Sequence, residues 1–199
     1  MKRIAVLASG GGTDLQSIID AVERGDINGE IAVVVSDKEN AYALERARNH
    51  SIRAEYVKRG ESETLLSLLD SVNIDYVILA GYLGILPEVV VKSYPNRIVN
   101  IHPSLIPSFC GMGFYGMRVH EAVYNRGVKY TGATVHFVDE GADTGAIIKQ
   151  VVVEVEETDT PEIIQQKVLK KEHELLPHVV GLLCDDKVAV VDGRVKIKG

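Results

Sequence analysis

The first half of the chain alternates short apolar runs with stretches whose apolar residues recur at helical spacing. The apolar runs predict five strands, over Ile4–Ala8, Glu30–Ser36, Arg53–Val57, Tyr76–Ala80 and Arg97–Ile101. The intervening stretches predict helices over Thr13–Glu23, Tyr42–Asn49, Glu61–Val72 and Glu88–Ser93. Because strands that alternate with crossover helices pair side by side in one direction, this pattern predicts a parallel sheet.

The pattern changes after His102, where a loop rich in Pro, Gly and aromatic residues begins. A helix over Val119–Asn125 and two long strands over Tyr130–Val138 and Ala146–Val155 are predicted to follow. Pro161, preceded by the candidate caps Thr158 and Thr160, opens a helix predicted to reach Val180. The segment Val188–Lys198 is predicted to form a hairpin that turns at Asp192-Gly193.

These elements predict one Rossmann-like α/β domain over residues 1–199. We expect a mostly parallel twisted sheet with helices on both faces and a C-terminal antiparallel strand addition. The carboxyl ends of the early strands should face a ligand crevice.

Composition narrows the class of protein. The 199 residues are 46% hydrophobic, and 22 Lys and Arg against 28 Asp and Glu give a net charge of −6, so nucleic acid is not expected as a partner. The apolar runs are too short to cross a membrane, and Ile4–Ala8 is shorter than a signal-peptide core, so we expect a cytoplasmic protein. The only cysteines, Cys110 and Cys184, lack metal-ligand spacing and are expected to be reduced thiols.

A glycine-rich turn, Ser9-Gly10-Gly11-Gly12-Thr13, joins the first strand to the first helix. Backbone without side chains can approach a phosphate there, and the N–H groups of the helix terminus point at it. The alternative is a tight connection with no ligand. Asp37 lies near the position where NAD-binding proteins carry an acidic residue, which keeps a dehydrogenase as a rival interpretation.

The end of the fifth strand carries the candidate chemistry. Alternation along a strand puts Asn100 and His102 on the same side, so both can face the crevice. An amide donor and an imidazole suit a reaction that builds negative charge on a carbonyl oxygen and moves a proton. Asp143 could orient or charge the histidine. The alternatives are a structural histidine and a solvated loop carboxylate, and we interpret the remaining histidines as structural or exposed.

Five ordered motifs give the chain a strong resemblance to the folate-dependent formyltransferase family, and within it to the enzymes that formylate glycinamide ribonucleotide. The motifs are Ser9–Gln16, Ala80–Leu86, Asn100–Pro107, Gly132–Asp139 with Asp143–Gly145, and Glu172-His173. The resemblance implies transfer of a formyl group from 10-formyltetrahydrofolate as co-substrate to the amine of glycinamide ribonucleotide, in purine biosynthesis. It implies no metal and no covalent enzyme intermediate.

The resemblance also implies roles for individual residues. Asn100 matches the amide that stabilises the oxyanion, His102 the imidazole that transfers the proton, and Asp143 the carboxylate that supports it. The residues that match the nucleotide and phosphate site are Gly11, Gly12, Thr13, Asp14 and Glu172. Those that match the folate site are Leu83, Gly84, Ile85, Leu86, Val138 and Asp139. The resemblance implies a nucleotide-binding half over residues 1–100 and a half with the catalytic loop and the folate side over residues 101–199.

Three departures from the family pattern carry their own expectations. Asp14 replaces the usual Asn, and its carboxylate should repel a phosphate unless it points away or caps the helix. Gly84 replaces a common Arg, and the loop Cys110–Arg118 is longer than usual and begins without the usual Pro-Gly. We expect the donor pocket to depend more on apolar cover than on charge.

Other functions are compatible with the same motifs. A formyltetrahydrofolate hydrolase and a methionyl-tRNA formyltransferase lie within the same resemblance. A non-catalytic nucleotide- or folate-binding module is the alternative of another class. We expect small-molecule partners and a monomer or a homodimer.

Overall fold

The computed structural model describes all 199 residues and places seven strands in one sheet. The strands are β1 (Lys2–Leu7), β2 (Gly29–Ser36), β3 (Ala54–Tyr56), β4 (Tyr76–Leu79), β5 (Ile98–His102), β6 (Tyr130–Phe137) and β7 (Ile147–Glu154). Their order is β3-β2-β1-β4-β5-β6-β7. The strands from β3 to β5 pair in parallel, and β6 and β7 are added in antiparallel pairing. The predicted α/β fold class is confirmed.

Six helices connect the strands. They are α1 (Thr13–Glu23), α2 (Tyr42–Asn49), α3 (Ser62–Ser71), α4 (Glu88–Ser93), α5 (Met117–Arg126) and α6 (Pro161–Cys184). The predicted bounds of α1, α2 and α4 are confirmed. The helix α6 continues beyond the predicted end at Val180, because Leu183 and Cys184 prolong its buried apolar stripe. Thr160 caps its first turn through the amide of Ile163.

The C-terminal hairpin forms as predicted but stands apart from the main sheet. The strands β8 (Val188–Val191) and β9 (Arg194–Ile197) pair only with each other. Asp192 and Gly193 both have positive φ, as a two-residue turn of this kind requires.

Two apolar clusters cover the two faces of the sheet. Along β1, Ile4 and Val6 enter the larger cluster, whereas Ala5 and Leu7 enter the smaller one. Residues of α1, α2 and α6 join the larger cluster, and residues of α3 and α4 join the smaller one. Because both faces are buried, the central strands are nearly continuous apolar runs. None of the helices combines the length and the apolar character that a membrane span needs.

The topology brings the candidate residues to one edge of the sheet. β1 and β4 are neighbours, but the chain continues from β1 to β2 on one side and from β4 to β5 on the other. Open α/β sheets form a ligand crevice at such a reversal of strand order. The glycine turn follows β1, the segment Gly81–Leu86 follows β4, and His102 ends β5.

Candidate active site

His102 is buried at the end of β5, and its two ring nitrogens have different surroundings. Its Nε2 lies 2.9 Å from the carbonyl oxygen of Phe109. Since a carbonyl only accepts, Nε2 carries the hydrogen in the neutral ring and Nδ1 keeps the lone pair. Burial lowers the pKa of His102, although the Phe109 carbonyl and Asp143 offset part of this effect. The imidazole is therefore held in a form that can take up a proton at Nδ1.

Asp143 approaches the histidine from the loop after β6. Its Oδ2 lies 3.7 Å from His102 Nδ1 and accepts a 2.8 Å hydrogen bond from the amide of Gly111. Burial alone would raise the pKa of Asp143, but His136, Gly111 and His102 together hold it below its ordinary value. An ionised carboxylate therefore stands beside the nitrogen that would become positively charged.

Asn100 is oriented by His136, one of the histidines that the sequence pattern indicated to be structural or exposed. Its Nδ2 lies 3.2 Å from Nε2 of His136, its direct partner across β5 and β6. The Nδ1 of His136 lies 2.7 Å from the Phe137 carbonyl, so in the neutral ring Nε2 accepts a hydrogen from Asn100. His136 also lies 3.5 Å from Asp143. The period of two along β6 and the motif Gly132–Asp139 were the available signals for this residue.

The loop after His102 is fixed by buried hydroxyl groups. Thr134 donates to the Ser104 carbonyl at 2.6 Å and accepts from the Ile106 amide at 3.1 Å. Ser104 donates to the Ser108 carbonyl at 2.6 Å. These bonds position Phe109, whose carbonyl contacts His102.

The glycine turn is held by α2 and leaves its own helix terminus uncapped. The amide of Ala43 donates to Gly10, and the Arg46 guanidinium donates to the Gly11 carbonyl at 2.7 Å. Gly12 has φ +69, and a Cβ there would lie 2.8 Å from that of Ala43, so only glycine fits. No side chain bonds to the first amides of α1, which remain available to an anion near Gly11, Gly12 and Thr13.

Asp14 turns towards α6 and does not cap its own helix. Its carboxylate, 13% exposed, lies 3.6 Å from Nε2 of His173. Burial raises the pKa of Asp14, and His173 opposes this shift. The neighbouring Glu172 is buried, and burial together with Asp14 raises its pKa well above the ordinary value. The Asp14 carboxylate therefore points away from the terminus of α1, which is the orientation in which we expect it not to repel a phosphate.

The segment Leu83–Leu86 divides between surface and core. Leu83 is half exposed, Ile85 is 75% exposed, and Leu86 is buried in the smaller apolar cluster. A Cβ on Gly84 would lie 2.7 Å from the Tyr82 ring, so the ring occupies the space of a side chain at that position.

Val138 also packs on the smaller cluster, and its amide donates to the Ile98 carbonyl. Asp139 accepts hydrogen bonds from Gly141 and Thr144, which close the turn ahead of Asp143.

The loop Cys110–Arg118 is anchored at its base and open at its tip. Phe109 and Phe114 meet edge to face with ring centroids 6.3 Å apart, and the Arg118 guanidinium lies 4.8 Å above the Tyr115 ring. Met112 is exposed and Tyr115 is half exposed. Apolar surface is thus presented next to Asp143, which holds the Gly111 amide.

The chain is similar to known proteins over most of its length. The family model described as formyl transferase matches residues 2–180. The chloroplastic phosphoribosylglycinamide formyltransferase of Arabidopsis thaliana is 38% identical over 195 residues, which cover 94% of this chain and 67% of that protein. Two other chloroplastic relatives are matched over 62% and 64% of their length, so the chain spans about two thirds of these plant proteins.

Bacterial proteins match over nearly their full length. The phosphoribosylglycinamide formyltransferase of Haemophilus influenzae is 38% identical over 207 residues, covering 98% of this chain and 95% of that protein. The crystal structure of glycinamide ribonucleotide transformylase 1 from Symbiobacterium toebii superposes with a TM-score of 0.94 at 38% identity, over 100% of this chain and 95% of that one.

Proposed function

The chain belongs to the formyl transferase family, and from this premise we propose that it transfers a formyl group from 10-formyltetrahydrofolate to the amine of glycinamide ribonucleotide, in purine biosynthesis. The observation that carries the proposal is the convergence of Asn100, His102 and Asp143 at the crevice end of β5. These groups can donate to an oxyanion, move a proton and stabilise the resulting cation.

The acceptor amine attacks the formyl carbon, and the carbonyl oxygen becomes an oxyanion. The Asn100 amide nitrogen carries two hydrogens. It donates one in a hydrogen bond to His136, so the second can be donated to the oxyanion. His102 accepts the proton that the amine loses, at Nδ1, and Asp143 stabilises the imidazolium.

Collapse of the oxyanion breaks the bond between the formyl carbon and N10 of the folate. The proton held by His102 passes to N10, so the histidine returns to its neutral form. The products are the formylated nucleotide and tetrahydrofolate.

For the acceptor, we propose that the phosphate binds the uncapped terminus of α1. The amides of Gly12 and Thr13 supply the donors, the exposed backbone of Gly11 allows close approach, and Asp14 stays paired with His173. Glu172 lies beside Asp14 and supplies a carboxyl group for the sugar portion. In this proposal residues 1–100 form the nucleotide-binding half.

For the donor, we propose the opposite wall, formed by Leu83–Leu86, Val138 and Asp139 in front of the loop Cys110–Arg118. The exposed side chains of Leu83 and Ile85 offer apolar surface without a cation at Gly84. Residues 101–199 provide the catalytic loop and the Val138 side of this wall. We also propose a cytoplasmic location and a monomeric or homodimeric state.

The rival interpretations have less support. A dinucleotide site needs Asp37 free for a ribose, whereas its carboxylate is 2% exposed and paired with Arg59. A non-catalytic module does not need the intact set of Asn100, His102 and Asp143. Hydrolysis of the donor would use the same groups with water, and the uncapped glycine turn favours a phosphorylated acceptor instead.

The test is to mix the purified protein with glycinamide ribonucleotide and 10-formyltetrahydrofolate and to follow both products by mass spectrometry. We expect formylated nucleotide and tetrahydrofolate in equal amounts, and neither from His102→Ala. Formate and tetrahydrofolate without formylated nucleotide would establish a hydrolase. Binding of both ligands without any product would establish a binding module.

A further inference from the structure

Asp37 is a buried carboxylate to which the proposed mechanism gives no role. It follows β2 directly and its side chain is 2% exposed. Arg59 holds one oxygen, with Nε at 3.0 Å and a terminal guanidinium nitrogen at 2.5 Å from Oδ2. The other oxygen, Oδ1, is buried and has no hydrogen-bond partner. Burying an ionised carboxylate costs free energy unless neighbouring groups compensate its charge.

Ser9 follows β1 as Asp37 follows β2. The parallel register of these strands pairs Leu7 with Val35, so Ser9 and Asp37, two residues further along, lie side by side on the same face. Burial alone would raise the pKa of Asp37, but Ser9 and Arg59 hold it below its ordinary value. Ser9 is itself buried, and its oxygen already accepts a 2.8 Å hydrogen bond from the amide of Leu83. The hydrogen of the hydroxyl is therefore free to point to the carboxylate.

Ser9 is the only hydrogen-bonded attachment of the segment Gly81–Leu86 to the rest of the protein. Its amide donates to the Gly81 carbonyl at 3.1 Å, and its hydroxyl oxygen accepts from Leu83. No other residue of the segment bonds outside it. The same segment forms the proposed donor wall, so its shape depends on how Ser9 is oriented.

We propose that Asp37 and Ser9 are positioning residues for the formyl donor, in which the carboxylate orients the Ser9 hydroxyl so that its oxygen holds the Leu83 amide. This proposal rests on the proposed function, because it assigns the segment Gly81–Leu86 to the donor. An ionised carboxylate can only accept, so the serine hydrogen points to Asp37 and the oxygen lone pairs face Leu83. Arg59 supplies the charge that keeps Asp37 ionised in a buried place.

Two nearly isosteric variants test whether Asp37 orients Ser9 and whether Ser9 holds the Leu83 amide. Ser9→Ala removes the acceptor for Leu83. Asp37→Asn keeps the shape, but Arg59 attracts the amide oxygen, so the amide nitrogen faces Ser9 and turns the serine hydrogen towards the Leu83 amide. Ser71→Ala is the matched control, because the exposed Ser71 hydroxyl bonds only to the Leu68 carbonyl of its own helix.

The first measurement is hydrogen exchange of the Leu83 amide, resolved by NMR, in the protein without ligands. We expect exchange about tenfold faster in Ser9→Ala and Asp37→Asn than in the unaltered protein or Ser71→Ala, since local opening no longer breaks these bonds. Unchanged exchange in a folded Ser9→Ala variant would overturn the proposal. Faster exchange in Ser9→Ala alone would remove Asp37 from it.

The second measurement separates the two substrates. Loss of one neutral hydrogen bond should raise the KM for 10-formyltetrahydrofolate about five- to tenfold while the KM for the nucleotide stays within about twofold. A parallel rise in both KM values would mean a general structural role and would refute the proposal. If the unaltered protein transfers no formyl group, the proposed function fails. Hydrogen exchange still decides whether Asp37 and Ser9 hold the Leu83 amide.

Discussion

The Nε2 atom of His102 lies 2.9 Å from the carbonyl oxygen of Phe109, and this contact selects the ring nitrogen that can exchange a proton. Since Nε2 is committed to the carbonyl, Nδ1 faces Asp143 at 3.7 Å as the free base. The backbone of the loop after β5 thus sets the tautomer, and the carboxylate stabilises the charge that follows proton uptake.

His102→Ala and Asn100→Ala should each lower turnover at least about 100-fold, because a general acid–base group and an oxyanion donor are each worth about that much or more. Steady-state kinetics measure the loss, and circular dichroism checks the fold. Turnover close to that of the unaltered protein in either folded variant would remove that residue from the mechanism.

Asp143→Asn should lower turnover about 10- to 100-fold and move the acidic limb of the pH profile to lower pH. The Asp143 charge raises the pKa of His102, so its removal lowers that pKa and the imidazole stays neutral further into acid. A pH series of kcat measures both effects. The same rate and limb in the variant would leave Asp143 as a loop residue only.

Glu172→Gln should stabilise the protein above neutral pH and have little effect in acid. Because the folded state raises the pKa of Glu172, its favourable neutral form is fully present below the unfolded value of 4.5 and is lost as pH rises towards the folded value. Glutamine stays neutral throughout.

Melting curves at about pH 4.5 and about pH 8 should therefore differ, with a Tm gain of about 2–4 °C for Glu172→Gln at the higher pH only. Glu174→Gln is the control, because Glu174 is exposed and paired with Lys171. An equal gain at both pH values would show that charge is not the cause.

Asp14→Asn should change nucleotide affinity less than about threefold, because the carboxylate is turned towards His173 of α6 and not towards the first amides of α1. Isothermal titration with glycinamide ribonucleotide measures the affinity. Tightening by about tenfold, or about 1.4 kcal/mol, would mean that Asp14 faces the phosphate.

The loop Cys110–Arg118 should become more ordered when the donor binds. Its exposed Met112 and Tyr115 offer apolar cover, and its glycines make the ligand-free state entropically favourable. Hydrogen exchange with and without a folate analogue should show slower exchange across the loop with the analogue. The same protection in both states would refute a lid, and protection by nucleotide alone would place the loop on the acceptor side.

Local patterns in the sequence determined the helices and strands, and they determined the part of the candidate site that lies on β5. Gly12 and Gly25 bracket α1, the βα rhythm specifies the parallel sheet, and the period of two places Asn100 and His102 on one side of β5. Each of these signals is contained in a window of a few residues, so it can be interpreted without knowing the fold.

Only the tertiary structure decided how distant segments meet. The β5–β6 register puts His136 opposite Asn100, the loop after β6 carries Asp143 to the Gly111 amide, and α6 draws Asp14 away from its helix terminus. Such contacts depend on strand order, register and packing over the whole chain, because side chains far apart in sequence meet only after both faces of the sheet are covered.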